Sequence, residues 1–250
     1  ATEQVSVRDM SPFVPPASLP VNLPAMHPYK AVVFDFGGVI MSYCKEVPEW
    51  TRLEKFYALP RGIIQKTLFA IFNDLPELNR QIFEGRISAE DLEEEILPEY
   101  LESKIGVVLP RPFPVLNLWM GPGSKIPYND NMISVVRTLR SHGIHTSILT
   151  NNYKMDRQGI HPRTPIEKGL FDLIVESTVE GIMKPDTGIY KIIQSRIPSH
   201  ISPNECIFLD DNKDNIRAAR EFGWQAILVD PYNIEQSIRE LEQLLNTDLN

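Results

Sequence analysis

Five short runs of β-branched and aromatic residues set the strongest limit on how this chain can fold. They occupy residues 31–36, 144–150, 172–176, 206–209 and 225–229. The stretches between the later runs have helical spacing, near residues 129–141, 186–196, 213–222 and 233–245. Runs that are apolar on both faces and alternate with helices are typical of parallel strands covered on two sides. The pattern therefore predicts an α/β fold, a parallel sheet with helices on both faces.

Residues 49–122 interrupt this alternation. Helical spacing recurs there near residues 53–59, 64–72, 75–83 and 91–101, with no strand-like run between them. Ser88 followed by Asp91, after a turn at Gly85, is typical of a helix N-terminus. We predict a helical cap over residues 49–122, inserted after the first strand and returning through a hinge at 121–124. The α/β core then comprises residues 29–48 and 123–250.

Composition limits the remaining choices. Residues 1–28 are crowded with prolines and show no period, which predicts an extended N-terminal arm. The net charge of −8 argues against nucleic acid or an anionic membrane as the main partner. No apolar stretch approaches the roughly 20 residues that a membrane span needs. Only two cysteines occur, outside any CxxC pair, so a reducing, cytoplasmic location is expected.

Polar side chains stand where the predicted strands end. They are Asp35 after the first run, Thr150 and Asn151 after the second, Lys184 beyond the third, and Asp210 and Asp211 after the fourth. The carboxyl ends of parallel strands meet at one edge of a sheet, where such folds bind their ligands. A single aspartate at a strand end is usually a helix cap or a solvated turn. Four strand ends with a carboxylate, a hydroxyl, an ammonium and paired carboxylates indicate a shared site.

These segments resemble, in order, the four signature motifs of the haloacid dehalogenase (HAD) superfamily. The resemblance runs from about residue 30 to 229, with the helical insertion where that family places its C1-type cap on a Rossmann-like core. The segments FDFGGVI at 34–40 and FLDDNKDN at 208–215 are similar to one branch of it. That branch holds the N-terminal phosphatase domains of soluble epoxide hydrolases and HAD-like domains of some long acyl-CoA dehydrogenases. Their second catalytic domain is not recognised in these 250 residues, so epoxide or acyl-CoA chemistry is not expected.

The resemblance implies a role for each strand-end residue. Asp35 would attack phosphorus and form an aspartyl-phosphate, while Thr150 and Lys184 would hold the phosphoryl oxygens. Asn151 would bond to phosphate or to loop backbone. The implied Mg²⁺ ligands are Asp35, the Gly37 carbonyl, Asp211 directly, and Asp210 directly or through water, with Asn215 orienting Asp211. Hard oxygen ligands without His or Cys favour Mg²⁺, which also relieves the repulsion between a carboxylate and a phosphate dianion.

Gly37 departs from the family pattern. Most family phosphatases carry a second aspartate at this position, which protonates the leaving oxygen, and this help is worth on the order of 10²–10⁴ in rate. One interpretation is a phosphatase with substitute acid–base groups and a preference for aryl, acyl or anomeric phosphates. A second is a degenerate domain that binds a phosphorylated ligand or partner without turnover. The third, dehalogenation, is disfavoured by the pair Asp210 and Asp211, because carbon–halogen displacement needs no divalent metal.

Substrate selection is expected to depend on the cap. The segment leading into it offers Tyr43, Lys45 and Trp50 as substrate-facing candidates, with loop packing as the alternative. The aromatic residues expected in the cap core are Phe69, Phe72, Phe83 and Trp119. The expected ligand is a small phosphorylated molecule, and the oligomeric state stays open.

Overall fold

The computed structural model describes residues 28–43, 46–160, 164–167 and 169–249. Its centre is one sheet of five parallel strands in the order β3-β2-β1-β4-β5. The strands are β1 (Ala31–Phe34), β2 (His145–Thr150), β3 (Leu173–Glu176), β4 (Cys206–Asp210) and β5 (Gln225–Leu228). The predicted α/β class and all five predicted strands are confirmed. Most of the predicted N-terminal arm, residues 1–27, lies outside the described residues.

Helices cover both faces of the sheet because alternate strand residues point to opposite sides. In β1, Val32 and Phe34 belong to a core shared with α7 (Asp130–Ser141) and α11 (Ile234–Leu245). Ala31 and Val33 belong to the opposite core, shared with α9 (Thr187–Arg196) and α10 (Lys213–Phe222). All four β1 residues are fully buried. This double burial explains why the strand carries no polar side chain before Asp35.

The chain between β1 and the start of α7 forms helices joined by loops, with no named strand among its described residues. It contains α1 (Pro48–Phe56), α2 (Ile63–Asp74), α3 (Pro76–Phe83), α4 (Ala89–Asp91), α5 (Leu97–Ile105) and α6 (Val115–Met120), with a π-helical turn at Leu92–Ile96 joining α4 to α5. These helices have an apolar core of their own, separate from the two cores of the sheet. The helical insertion after the first strand is therefore present, as the fold class predicted. Its limits as a domain, 49–122, stay a prediction.

Local signals account for several helix ends. Ser88 and Asp91 form a reciprocal capping box at the start of α4, as their spacing predicts. The α2 N-terminus has no side-chain cap of its own, and the buried Glu54 carboxylate accepts from the Gly62 and Ile64 N–H groups instead. Two short helices, α6 and α8 (Ser177–Glu180), have no counterpart among the predicted elements.

One loop of the core is built into the cap. After β2, Tyr153 and Met155 join the apolar core of the cap helices. The Ala89 N–H donates to the Lys154 carbonyl at 2.7 Å, and the Glu90 N–H donates to the Met155 carbonyl at 3.2 Å. The cap is thus fastened to the chain that directly follows the second strand. Among the described residues, no helix is long and apolar enough to cross a membrane.

Candidate active site

The strand-end residues meet in one cleft between the sheet and the cap. The cleft has a volume of about 210 Å³ and its walls include Asp35, Gly37, Thr150, Asn151, Lys184 and Asp211. The remaining predicted residue, Asp210, is fully buried beneath it. The parallel register brings these positions together, because Phe34 lies opposite both Ile148 and Leu209. The cap contributes Phe83, Trp119 and Met120 to the wall facing them.

Asp35 follows the last residue of β1, and its main chain is tied to the next strand. Its N–H donates to the Leu209 carbonyl at 2.8 Å. Its Oδ1 accepts from the Phe36 N–H at 2.6 Å and lies 2.9 Å from Lys184 Nζ. Among the described residues, no hydrogen-bond partner is recorded for Oδ2, so that oxygen is the one left for a new bond. Burial, together with the charges of Asp210 and Asp211, raises the Asp35 pKa to about 8, against the opposing effect of Lys184.

Lys184 is the only ammonium in this group of described cleft residues, and its side chain is fully buried. Its Nζ donates to Asp210 Oδ2 at 2.7 Å and to the Leu149 carbonyl at 2.8 Å, besides its contact with Asp35. Burial by itself lowers the pKa of a lysine, but here the two carboxylates outweigh it and the Lys184 pKa is raised. The ammonium therefore holds its charge and bridges the ends of β1 and β4.

Asp210 is held by more partners than the sequence indicates. Asn215 Nδ2 donates to both of its oxygens at 3.1 Å, and the Asn212 N–H donates to Oδ1 at 2.8 Å. This corrects the expectation for Asn215, which contacts Asp210 and not Asp211. With Lys184 on Oδ2, both oxygens of Asp210 are engaged within the protein. Its part in metal binding stays a prediction.

Asp211 stands at the cleft, and its carboxylate and the Tyr43 ring both lie against Gly38. Burial and the charge of Asp210 raise the Asp211 pKa to about 6, while the neighbouring Tyr43 hydroxyl acts in the opposite direction. Tyr43 lines the same cleft, so its predicted place near the substrate agrees with the geometry. The sequence does not indicate that Tyr43 lies beside Asp211, which depends on how the loop folds back.

Thr150 and Asn151 end the second strand on the opposite side of the cleft. The Thr150 side chain is almost fully buried, with only a long 3.4 Å contact from Oγ1 to the Asn151 carbonyl. Asn151 donates to the Lys184 carbonyl at 3.0 Å and accepts from the Lys184 N–H at 2.9 Å. Asn151 thereby fixes the backbone that carries the buried ammonium. Direct contact of either side chain with a ligand stays a prediction.

The carboxylates fit a hard cation. One oxygen from each of Asp35, Asp210 and Asp211 lies within 4.8 Å of the others. Three carboxylates against one ammonium leave an excess of negative charge, which adds to burial in raising the pKa values of Asp35 and Asp211. An all-oxygen set of this kind suits Mg²⁺ better than zinc or copper. A carbonyl contact from Gly37 is consistent with its place in the cleft wall and stays a prediction.

The predictions for the remaining aromatic residues and Lys45 have different outcomes. Trp50, a candidate for facing the substrate, is buried and donates its indole N–H to the Val115 carbonyl at 2.9 Å, so it packs inside the cap. Lys45, the third candidate, lies outside the described residues. Phe69 was expected in the cap core but is 57% exposed. Phe83 and Trp119 pack against the cap core and also line the cleft, a double role that helical periodicity does not reveal.

Comparisons with known proteins identify the family. A family model described as haloacid dehalogenase-like hydrolase matches residues 29–223. Bifunctional epoxide hydrolase 2 of Sus scrofa and acyl-CoA dehydrogenase family member 10 of Mus musculus are each 30% identical over 88% of this chain. The alignments cover only 39% and 20% of those two longer proteins. Sesquiterpene phosphatase astK of Aspergillus oryzae is 29% identical over 78% of this chain and 87% of its own.

A solved structure supports the fold. The HAD family enzyme bt-2542 of Bacteroides thetaiotaomicron, in complex with magnesium and inorganic phosphate, superposes with a TM-score of 0.55 and 19% identity. The match covers 81% of this chain and 95% of that one.

Proposed function

Since the chain belongs to the haloacid dehalogenase-like hydrolases, we propose that it is a Mg²⁺-dependent phosphatase acting on small phosphate monoesters through an aspartyl-phosphate at Asp35. The observation that carries the proposal is the arrangement around Asp35. One of its carboxylate oxygens is fixed by the Phe36 N–H and by Lys184, and the other has no partner recorded among the described residues. Asp211, a second hard ligand, lines the same cleft.

In the first step, the attack on phosphorus, each side chain has a separate role. Asp35 supplies the attacking oxygen, and Lys184 and Thr150 hold the phosphoryl oxygens while charge develops on them. Asp210 keeps Lys184 in place from below, because its Oδ2 lies 2.7 Å from the ammonium. A bound Mg²⁺, held by Asp35 and Asp211, would supply positive charge that offsets the repulsion between carboxylate and phosphate.

The walls of the cleft favour an apolar leaving group. Phe83, Trp119 and Met120 approach from the cap, and Tyr153 and Met41 from the core. This apolar part of the wall, which faces the strand ends, binds an aromatic or hydrocarbon group well. The name of the Aspergillus oryzae relative, a sesquiterpene phosphatase, points the same way. Gly37 adds a second restriction, because a leaving group that needs little protonation suffers least from a missing acid.

A degenerate, phosphate-binding domain is the second candidate, and Gly37 is the observation that favours it. This residue has no side chain to protonate a leaving group or to activate water. Under this alternative the cleft would bind phosphorylated ligands with Mg²⁺ but release them unchanged. Binding of a phosphorylated ligand by a protein that shows no turnover would support it.

The test is a phosphatase panel with saturating Mg²⁺ on aryl, prenyl, sugar and acyl phosphates. We expect turnover to be highest on the aryl and acyl substrates and to be abolished by Asp35→Asn. Asp74→Asn, an exposed position at the end of α2, makes the same chemical change outside the cleft and should behave like wild type. Acid-quenched protein should carry a hydroxylamine-sensitive phosphate that Asp35→Asn lacks. Absence of turnover on every class would refute the enzyme, and activity surviving in Asp35→Asn would refute the nucleophile.

A further inference from the structure

Tyr43 occupies the space that a side chain at residue 37 would need. A Cβ built on Gly37 would lie 3.2 Å from the Tyr43 hydroxyl oxygen, 3.6 Å from its Cε1 and 3.8 Å from its Cζ. The first distance is shorter than ordinary van der Waals contact, so a side chain at 37 would displace the phenol from its present position. Since Gly37 lines the cleft together with Asp35, the hydroxyl stands where a residue-37 side chain would reach the reaction centre.

The neighbouring glycine, Gly38, also leaves the space that the phenol ring occupies. Gly38 has a φ of +71°, and a Cβ there would lie 2.9 Å from Tyr43 Cε2 and 2.7 Å from Asp211 Oδ2. Gly38 is therefore required by the ring and by the Asp211 carboxylate, and Gly37 gives the hydroxyl end of the ring its room. The position of the Tyr43 ring explains why two consecutive residues beside the nucleophile have no side chain, because the loop folds back and places the ring against both glycines.

The hydroxyl is also suited to donate a hydrogen bond. A phenol has one O–H donor that turns about the Cζ–O bond, so it can point toward an acceptor in the cleft. Tyr43 lines the same cleft as Asp35, so its hydroxyl lies on the side from which a leaving group departs.

We propose that Tyr43 takes the place of the side chain missing at residue 37 and donates a hydrogen bond to the leaving-group oxygen. This role rests on the proposed phosphatase function. In the step concerned, an Asp35 oxygen forms a bond to phosphorus and the bond from phosphorus to the ester oxygen breaks. The electron pair of that bond moves onto the ester oxygen, which departs as an anion and takes its proton from water. Tyr43 keeps its proton throughout and stabilises the developing charge.

The first experiment compares Tyr43→Phe with wild type on phenyl phosphate and 4-nitrophenyl phosphate at saturating Mg²⁺. Losing one well-placed donor costs on the order of 10²-fold in kcat. We expect a loss of this size on phenyl phosphate and a clearly smaller loss on the nitrophenyl ester, whose anion needs less stabilisation. KM should change little. Tyr128→Phe is the matched control, because its hydroxyl bonds to the Pro165 carbonyl outside the cleft.

Two outcomes overturn the proposed role. Equal losses on both esters would mean that the hydroxyl serves only to position Asp211, since an effect on Asp211 acts alike on every substrate. Behaviour like that of Tyr128→Phe would mean that the hydroxyl has no part in the reaction. If wild type turns over no substrate, the proposed function fails and the catalytic role of Tyr43 fails with it.

The shared space is tested separately and without turnover. Gly37→Asp introduces a side chain against the phenol and should lower Tm, whereas the same change in a Tyr43→Ala background should cost less. The four proteins, wild type, two single variants and the double variant, form a double-mutant cycle whose coupling should be favourable. Additive changes in Tm would show that the two side chains do not compete for one space. If the cycle shows coupling but wild type is inactive, the shared space is supported and only the phosphatase function is refuted.

Discussion

Replacing Lys184 by methionine removes an ammonium while keeping the length of the side chain. The charge is fully buried and lies 2.7 Å from Asp210 and 2.9 Å from Asp35. Each charge-assisted hydrogen bond is worth about 1.5–3 kcal/mol, so the two together give about 3–6 kcal/mol. Part of this loss is offset because the variant no longer buries an ammonium. A further part is offset because Asp35 can take up a proton and then needs no cationic partner. We expect Lys184→Met to lower the free energy of unfolding by about 3–5 kcal/mol at pH 7, the range for broken buried pairs.

The origin of that loss can be isolated by removing the second charge. In Lys184→Met/Asp210→Asn no uncompensated carboxylate is left at position 210, so the double variant should lose at least about 2 kcal/mol less than the sum of the single variants. Equilibrium urea unfolding followed by tryptophan fluorescence, with EDTA present, measures all four proteins. Lys191→Met on the exposed face of α9 is the control and should change stability by less than about 0.5 kcal/mol. A Lys184→Met cost below about 1 kcal/mol, or additive single variants, would refute this account of the buried pair.

Three further predictions follow from local geometry. Gly38→Ala should cost about 1–2 kcal/mol of backbone strain, because residue 38 has a positive φ. It should also weaken Mg²⁺ binding in calorimetry, because the added Cβ would lie 2.7 Å from Asp211 Oδ2. The control Gly106→Ala, at φ +68° with open space around it, should show only the strain. Arg157→Ala should leave the free energy of unfolding close to that of wild type, because its ion pairs to the cap are exposed and screened by solvent, and a loss as large as that of Lys184→Met would contradict this. Burial lowers the His145 pKa below its ordinary 6.5. The unfolded chain therefore binds that proton more readily, and stability should fall as pH drops below about 6.5, less so in His145→Asn; equal pH slopes for the two proteins would contradict this.

The sheet was predictable because its strands are buried on both faces. Continuous β-branched runs such as AVVF in β1 leave no other element that satisfies their length and composition. The predicted ends differ by one or two residues. The first run was expected to reach residue 36, but the chain turns there, where the N–H groups of Ile40 and Met41 both donate to the Phe36 carbonyl. Such a turn depends on the two glycines and on the loop that follows, and it leaves no periodic signal.

The composition of the site was predictable, but its internal contacts were not. Strand order in a parallel sheet implies that residues after several strands share one edge, which was enough to bring Asp35, Lys184 and Asp211 together. Which amide serves which carboxylate depends on side-chain torsions, and Asn215 accordingly bonds to Asp210 and not to its neighbour. The two roles open for Trp50, substrate contact and packing, could not be separated for a similar reason, since its partner carbonyl belongs to a residue 65 positions away.

The loop after β2 has a thermodynamic consequence. Thr150 and Asn151 stand at the cleft, and within the next five residues the same chain places Tyr153 and Met155 in the core of the cap. Displacing the cap must therefore pull on the backbone that presents Thr150. Ligand binding at this strand end and packing of the cap are coupled equilibria, and the coupling free energy is the same in both directions. If closure of the cap strengthens ligand binding by a given factor, the bound ligand favours the closed cap by that same factor. A substitution in the distant cap core then alters the affinity without contacting the ligand.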